Sequence, residues 1–481
     1  MGKGHPPRLE RLLEEGEILL RNGSLDEAEK RFRRAADLRP DADTLYNHGV
    51  ALQRLGRHAE AERRLRASLA RADSADAWVH LGVSLHEQGR MQEALAGYGR
   101  ALALAPGLPE AHNNAGNALL ALGRAAESLA HFDAALQLRP GDAGVHCNRG
   151  NALRALGRHR EALEGYAEAR RLDPRDPDAH RLAGLVHLSL GEYREGWPLF
   201  EWRHRAGAGQ ASALASPQWD GAADLEGRSV LLHAEQGLGD TVQFARYAPL
   251  LAARGAEVTL QVYAPLVRLM QGIPGVRRVI GPDEPRPATD LHCPLASLPH
   301  AFRTGFDEVP APLAYLRIDA AEAAQWRRRL GAGEDRLVGV CWRGNPGYVN
   351  DAERSMALAD LAPLLDAPGH RFISLQREQT PEEAALAASL PRLSHPALGF
   401  EEAARAIAAF DHVIAVDTVW LHWAASLGTP SSALLAFSSH WVWPHARATS
   451  PWYPEVRLCR QPSPGDWRGA VAQAIEGLRG G

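Results

Sequence analysis

A period restricts this chain more than any other feature. Glycines stand at Gly16, Gly49, Gly82, Gly116, Gly150 and Gly184, in steps of 33, 33, 34, 34 and 34 residues. A second series, Gly23, Gly56, Gly89, Gly123, Gly157 and Gly191, keeps the same steps. Small residues follow at Ala28, Ala61, Ala94, Ser128, Ala162 and Gly196, and large ones four positions later at Phe32, Leu65, Tyr98, Phe132, Tyr166 and Phe200. Pro40, Pro106, Pro140 and Pro174 close most units. The first glycine lets two helices approach closely, and the second sits where the first helix of each hairpin ends and the chain turns. The small residue lets the second helix pack on the first, and the large one is expected to fill the gap to the next hairpin. One such hairpin cannot bury its apolar face alone, so about six must stack into a solenoid with a concave surface.

The pattern resembles the tetratricopeptide repeat (TPR), and the solenoid is expected over residues 8–205. Two residues before the first glycine of each unit lie Glu14, Asn47, His80, Asn114, Asn148 and Leu182. On a TPR superhelix that position looks inward. Amides there carry a donor and an acceptor at repeat spacing, which suits the backbone of an extended peptide. Asn47, His80, Asn114 and Asn148 are therefore the candidate peptide groove, similar to the asparagine ladder of nucleocytoplasmic O-GlcNAc transferases. The plainer alternative is consensus asparagine that solvates the groove. His112, His146 and His180 also recur every 34 residues, at a packing position where a structural histidine is expected rather than a metal ligand.

Composition narrows the partners. Among 481 residues the net charge is −4, which gives no global pull toward nucleic acid or an anionic membrane. Lys3 and Lys30 are the only lysines, so a phosphate bound elsewhere must be held by arginine or backbone N–H groups. Cys147, Cys293, Cys341 and Cys459 form no CxxC pair, which argues against a zinc site or disulfide framework and fits a reducing cytosol. Glu10, Glu14, Glu15 and Glu17 interrupt any signal-peptide apolar stretch, and no run reaches 18 uncharged apolar residues. A cytoplasmic location without a transmembrane segment is expected. Asp41/Asp43 and Asp176/Asp178 imitate a metal-binding pair but fall at repeat junctions, where they read as turn and cap residues; no metal is expected.

Beyond an Ala-, Gly- and Ser-rich stretch ending at Ser216, short β-branched runs alternate with helical stretches. Strands are expected at Ser229–Ala234, Glu257–Val262, Arg278–Ile280, Leu337–Trp342, Arg371–Leu375, His412–Val416 and Ser432–Ala436. Helices are expected at Thr241–Ala253, Ala320–Leu330, Pro381–Ser389, Glu401–Ala409 and Val419–Leu427. Such alternation argues for parallel sheets with helices on both faces. The expected division is a linker over 206–228, a Rossmann-like subdomain over 229–318 and a second over 319–481, meeting across a cleft. The fold class is thus an all-α TPR solenoid followed by an α/β region.

Six motifs appear in order in this half: Glu235-Gln-Gly-Leu-Gly-Asp240, His292-Cys-Pro, Cys341-Trp-Arg-Gly-Asn-Pro346, Arg354-Ser355, Val416-Asp-Thr418 with His422, and Ser450-Pro-Trp-Tyr-Pro454. Together they resemble the TPR-linked proteins of glycosyltransferase family 9, the heptosyltransferase family, over about residues 190–470. The resemblance implies a GT-B fold, a nucleotide-diphosphate sugar as co-substrate, inversion at the anomeric carbon, and neither cofactor nor catalytic metal. It makes Asp240 the general base, on a helix that Asp240 would also cap. Gly237 and Gly239 permit a tight turn with backbone close to a ligand. Asp417 and Thr418 become donor-binding residues at a helix N-terminus, with His422 one turn on. Arg343, Arg354 and Ser355 are placed beside the diphosphate, and Asn345 in the adjoining turn. The chain departs from the family pattern at Tyr348 and over Gly399–Ala404, and Trp420 and Trp423 enlarge a site usually lined by smaller residues. Trp441, Trp443 and Trp452 are expected to be core, or to stack on a base or sugar. The acceptor follows from the groove, a polypeptide; the alternatives are a saccharide or lipopolysaccharide acceptor, or a TPR scaffold retaining the fold without turnover.

Overall fold

The structure is a computed structural model that describes residues 8–205, 214–310, 314–331, 333–347, 351–445 and 447–480. The chain divides into two compact units, Met1–Ala179 and His180–Gly481.

Among its described residues the first unit holds five helical hairpins: Arg8–Arg21 with Leu25–Leu38, Ala42–Arg54 with His58–Leu69, Ala75–Glu87 with Met91–Leu104, Pro109–Ala121 with Ala125–Leu138, and Ala143–Ala155 with His159–Leu172. The first glycine of each is required by its own hairpin. A Cβ added at Gly16 would lie 2.7 Å from the Phe32 ring; at Gly82 it would lie 2.5 Å from Tyr98, and at Gly150 2.6 Å from Tyr166. The large residue thus fills the notch left by the missing side chain sixteen positions back, and also packs toward the next hairpin as expected: Phe32 clusters with Ala51, and Phe132 with Val145 and Ala152. The second glycines take left-handed φ values of 72–80°. Gly23, Gly56, Gly89 and Gly123 have open space around them, so their role is backbone conformation, whereas a Cβ at Gly191 would also lie 2.9 Å from Phe306. Asp41 accepts the Thr44 N–H and Asp142 the Val145 N–H, which makes them N-caps. His112 Nε2 and His146 Nε2 pair with the carbonyls of Pro106 and Pro140, the structural use expected of them.

The second unit begins inside the sixth hairpin, Pro177–Ser189 and Tyr193–Phe200. The expected end of the solenoid at residue 205 falls inside this second compact unit. Tyr193, Trp197 and Phe200 belong to the core of the C-terminal unit. Trp197 Nε1 donates to the Thr304 carbonyl at 2.9 Å, and Trp452 Nε1 to Tyr193 Oη at 2.8 Å. The described part of the expected linker is also structural: Trp219 N donates to His292 O, His292 N to Pro217 O, and Trp219 is buried.

Among the described residues ten strands follow: β1 Ser229–His233, β2 Glu257–Gln261, β3 Val276–Ile280, β4 Leu291–Pro294, β5 Arg336–Cys341, β6 His370–Ser374, β7 Leu393–Ser394, β8 His412–Val416, β9 Ser431–Leu435 and β10 Val456–Arg460. They form two sheets with every pairing parallel, β3-β2-β1-β4 and β10-β9-β8-β5-β6-β7. Counted within itself, the second sheet has the order 3-2-1-4-5-6 of doubly wound nucleotide-binding sheets, and the first has its 3-2-1-4 portion. The central strands β5, β8 and β9 read as apolar runs because helices cover both faces; all five residues of β9 are buried. In such sheets ligands bind beyond the carboxyl ends of the strands flanking the order reversal. These points are β1/β4 in one sheet and β5/β8 in the other. The expected helix over Thr241–Ala253 is two helices, Leu238–Ala245 and Ala248–Ala252, the second carrying Pro249 in its first turn.

Candidate functional site

The residues after β1 form a turn whose geometry glycine alone would ordinarily adopt at one position. Gln236 sits at φ 64° and Gly237 starts the Leu238–Ala245 helix. Asp240, in the first turn of that helix, reaches back so that its Oδ2 accepts the Gly237 N–H at 3.0 Å. It caps from inside the helix, three residues earlier than the expected start. Tyr263 Oη donates to Gln236 O at 2.5 Å. Glu235, just before the turn, is held by buried Arg203, whose guanidinium also meets Glu201 and Ser297 Oγ. Beside them His233 Nε2 and His292 Nδ1 lie 3.2 Å apart across β1 and β4, and burial pushes His233 down to about 4.

The corresponding turn in the second sheet follows β8. Thr418 is the N-cap of the Val419–Leu427 helix but its hydroxyl does not close on the helix; Thr418 Oγ1 is buried with no hydrogen-bond partner. Asp417 Oδ1 lies 3.4 Å from His422 Nε2, and His422 Nδ1 pairs with Tyr453 Oη at 3.1 Å. Burial of Asp417 would by itself raise its pKa. His422 beside it, His440 and the Trp443 indole outweigh that and hold the carboxyl far below the usual carboxylate range. Trp443, 1% exposed, turns its Nε1 toward Asp417 yet reaches no hydrogen-bond partner.

The two turns meet. A Cβ placed on Gly239 would lie 2.9 Å from His422 Cδ2, so glycine there is what allows the two helix starts to touch. Arg246, at the end of the Asp240 helix, completes the link: its Nη1 donates to Trp452 O at 2.8 Å, and the guanidinium lies 4.8–5.4 Å from the Tyr453, Trp452 and Tyr315 rings. Ser450 holds the same segment by donating to Val442 O. The Ser450–Pro454 motif is thus the brace that fixes His422.

The structure brings Asp240, Gly237, Gly239, Asp417, Thr418 and His422 together. Arg354 joins them from below, with Nη1 on Asp417 O at 3.0 Å and Nε on Asp351. Ser355 bonds Asp351 and accepts the Gly344 N–H, tying the loop after β5 in place. Arg343 is directed elsewhere: it pairs with Glu383 and donates to Glu378 O. Asn345 is exposed in a turn closed by its own Oδ1 on Gly347 N. Trp420 packs on Phe400 and Trp423 donates to Ala404 O, so both fill the core rather than line the site. Trp441, Trp443 and Trp452 are buried as expected of core. Tyr348 lies outside the described residues. Sequence reasoning passed over His440, which is solvent-exposed on the loop after β9 yet has Asp417, Asp240, His422 and Arg354 as its electrostatic neighbours. A separate recess lined by Arg268, Arg317, Asp319, Glu322 and Arg405 shares no residue with this cluster. Among the described residues no group of three or more His, Cys, Asp or Glu could hold a metal, and no helix is long and apolar enough to cross a membrane.

In the repeat unit, Asn47, His80, Asn114 and Asn148 are all half-buried. Asn148 donates to Asn113 Oδ1 at 3.0 Å, and His80 pairs with Gln53 at 2.6 Å. Asn47 and Asn114 make no side-chain hydrogen bond among the described residues.

A family model described as "Tetratricopeptide repeat" matches residues 13–62 and 46–109, and one described as "TPR repeat" matches 116–157 and 150–191. Protein FlbA of Caulobacter vibrioides is 27% identical over 313 residues, covering 59% of this chain and 52% of FlbA. The chain therefore spans about half the length of that curated relative. Among solved structures, PilF of Pseudomonas aeruginosa is 19% identical, with a TM-score of 0.38 over 42% of this chain and 93% of that one. TTC0263, a TPR protein of Thermus thermophilus, is 24% identical, with a TM-score of 0.33 over 37% and 99% of the two chains. YrrB, described as a TPR protein with an unusual peptide-binding site, is 24% identical, with a TM-score of 0.31 over 35% and 88%. Residues 13–109 and 116–191 are tetratricopeptide repeats.

Proposed function

We propose that the two-sheet unit is an inverting glycosyltransferase of the family 9, heptosyltransferase-like kind, using a nucleotide-diphosphate sugar in a GT-B arrangement without a metal. One observation carries this reading: the first turns of two helices, each following the switch-point strand of its own parallel sheet, converge at Gly239 and His422. Helix starts of this kind favour anions, and Thr418 Oγ1 and Trp443 Nε1 remain unsatisfied as donors for one. Asp240 stands on the opposite wall as the base that takes the proton from an acceptor hydroxyl. The repeats supply a protein-binding scaffold, and the acceptor is a polypeptide held along Asn47 and Asn114. The internal pairing of Asn148 and His80 favours a second reading, in which the array docks a partner protein while a saccharide enters the cleft as acceptor.

Purified protein offered a panel of nucleotide-diphosphate sugars should release nucleoside diphosphate, and Asp240→Asn should slow release by about 10²–10⁴-fold while donor binding persists. Equal rates in the two proteins would remove Asp240 as the base. Release by neither, with no donor bound, would leave a scaffold without turnover.

A further inference from the structure

An anionic leaving group needs positive charge where it departs, and the arginines expected to supply it are committed elsewhere. Arg343 is paired with Glu383, and Arg354 with Asp351 and the Asp417 carbonyl. Asp240 and Asp417 add negative charge to the same walls. Among the described residues, His440 is an ionisable group beside them that opens to solvent.

The loop carrying His440 is rigidly held. From β10, Arg460 Nη1 donates to Ala436 O and to Ser439 Oγ, and Nη2 to Trp443 O and Pro444 O, at 2.5–3.3 Å. Its charge faces carbonyls and a hydroxyl, and burial lowers its pKa to about 10. Trp443 N donates back to His440 O at 3.0 Å and closes the turn. Phe437 N is held by Gln461 Oε1. The turn therefore holds the His440 backbone beside Trp443, whose ring centroid lies 5.6 Å from that of His422 and whose indole N–H has no partner.

We propose that His440 contacts the donor's diphosphate and takes up a proton from solvent as the nucleotide sugar binds. This deepens the glycosyltransferase reading and rests on it. Before a donor binds, the surroundings of His440 pull in opposite directions: Asp417 and Asp240 favour the cation, while desolvation, His422 and Arg354 disfavour it, and the balance lies below the ordinary imidazole value. A diphosphate beside the ring reverses that balance and fixes the proton in a charge-assisted hydrogen bond. During transfer the acceptor oxygen bonds to the anomeric carbon and its proton passes to the Asp240 carboxylate. The bond from that carbon to the diphosphate oxygen breaks, and its electron pair leaves with the nucleoside diphosphate. His440 keeps its proton, and its charge offsets the added negative charge on the departing oxygen.

The test is calorimetric titration with UDP-glucose, UDP-N-acetylglucosamine, GDP-mannose and ADP-glucose, whose diphosphates do not titrate near neutral pH. Runs at pH 6, 7 and 8 in two buffers of different ionisation enthalpy give the protons taken up. The wild type should take up a fraction of a proton at pH 7 and bind its donor about tenfold tighter at pH 6 than at pH 8. His440→Gln should take up none, and should lose about tenfold in affinity at pH 6 and little at pH 8. An unchanged melting temperature shows that this exposed position is not structural. Proton uptake that persists in His440→Gln overturns the proposal and leaves the transferase reading standing. A wild type that binds none of the four overturns both.

Discussion

The repeat array and the two-sheet unit solve the same burial problem over different distances along the chain. In the array, Gly16 meets Phe32 and Gly116 meets Phe132, sixteen positions apart. In the C-terminal unit, Arg246 meets the Trp452 carbonyl 206 residues on, and Trp452 meets Tyr193 across 259. Short-range partners make stability a sum of hairpins and their neighbours. Long-range partners make it one cooperative network, and the candidate site stands inside that network. A change in the array should therefore stay local, and a change in the brace should spread.

The largest difference is expected at the brace. Arg246→Met removes a buried guanidinium from three rings and leaves the Trp452 carbonyl without its donor, a loss of about 2–4 kcal/mol. Hydrogen exchange should rise around Tyr193, His422 and Tyr453 together and stay unchanged over residues 42–138. Faster exchange in the repeats would break the comparison. Gly82→Ala forces a methyl against Tyr98 and should cost about 1–3 kcal/mol, confined to its own and adjoining hairpins. Spread of that effect along all five hairpins would show a more cooperative array than short-range contacts give. Acid should act on the sheets first. His412, half-buried beside Ser432 Oγ, has its pKa lowered to about 4, chiefly by desolvation, so the folded form resists the proton that the unfolded chain accepts below about 6.5. Stability from this group is intact above pH 6.5 and falls as pH drops toward 4; His412→Gln should retain roughly 1–2 kcal/mol more of it at pH 4. A denaturation series against pH reads this directly. The smallest effect is Gly123→Ala, where φ is 73° and the space is open: about 1–2 kcal/mol from backbone conformation alone.

The same contrast explains what the sequence discloses. Six glycines at one spacing reveal the array because its contacts repeat with the residues that make them. The notch-filling role of Phe32 and Tyr98 is not visible that way, since a spacing does not say that a ring also lies over the glycine of its own hairpin. In the sheets, central strands β5, β8 and β9 announce themselves as apolar runs. Strand β10 escapes because it lies at a sheet edge, with Arg457 exposed and Arg460 turned to the loop after β9. Strand β4 is short and ends in Pro294. Of the site, Asp240, Asp417, Thr418 and His422 are legible because each follows a strand and opens a helix. Arg343 misleads because a strand end does not fix where a long side chain points, and Glu383 draws it away. His440 belongs to no spacing rule; a loop braced from β10 brings it in.

The central claim is that one anion is held between two helix starts from two sheets. Hydrogen exchange of the full chain with and without a saturating nucleotide-diphosphate sugar measures this most directly. The account predicts protection in both 237–242 and 418–423, one segment from each sheet. Protection of a single segment, or of a surface elsewhere such as Arg268 and Arg317, would contradict it.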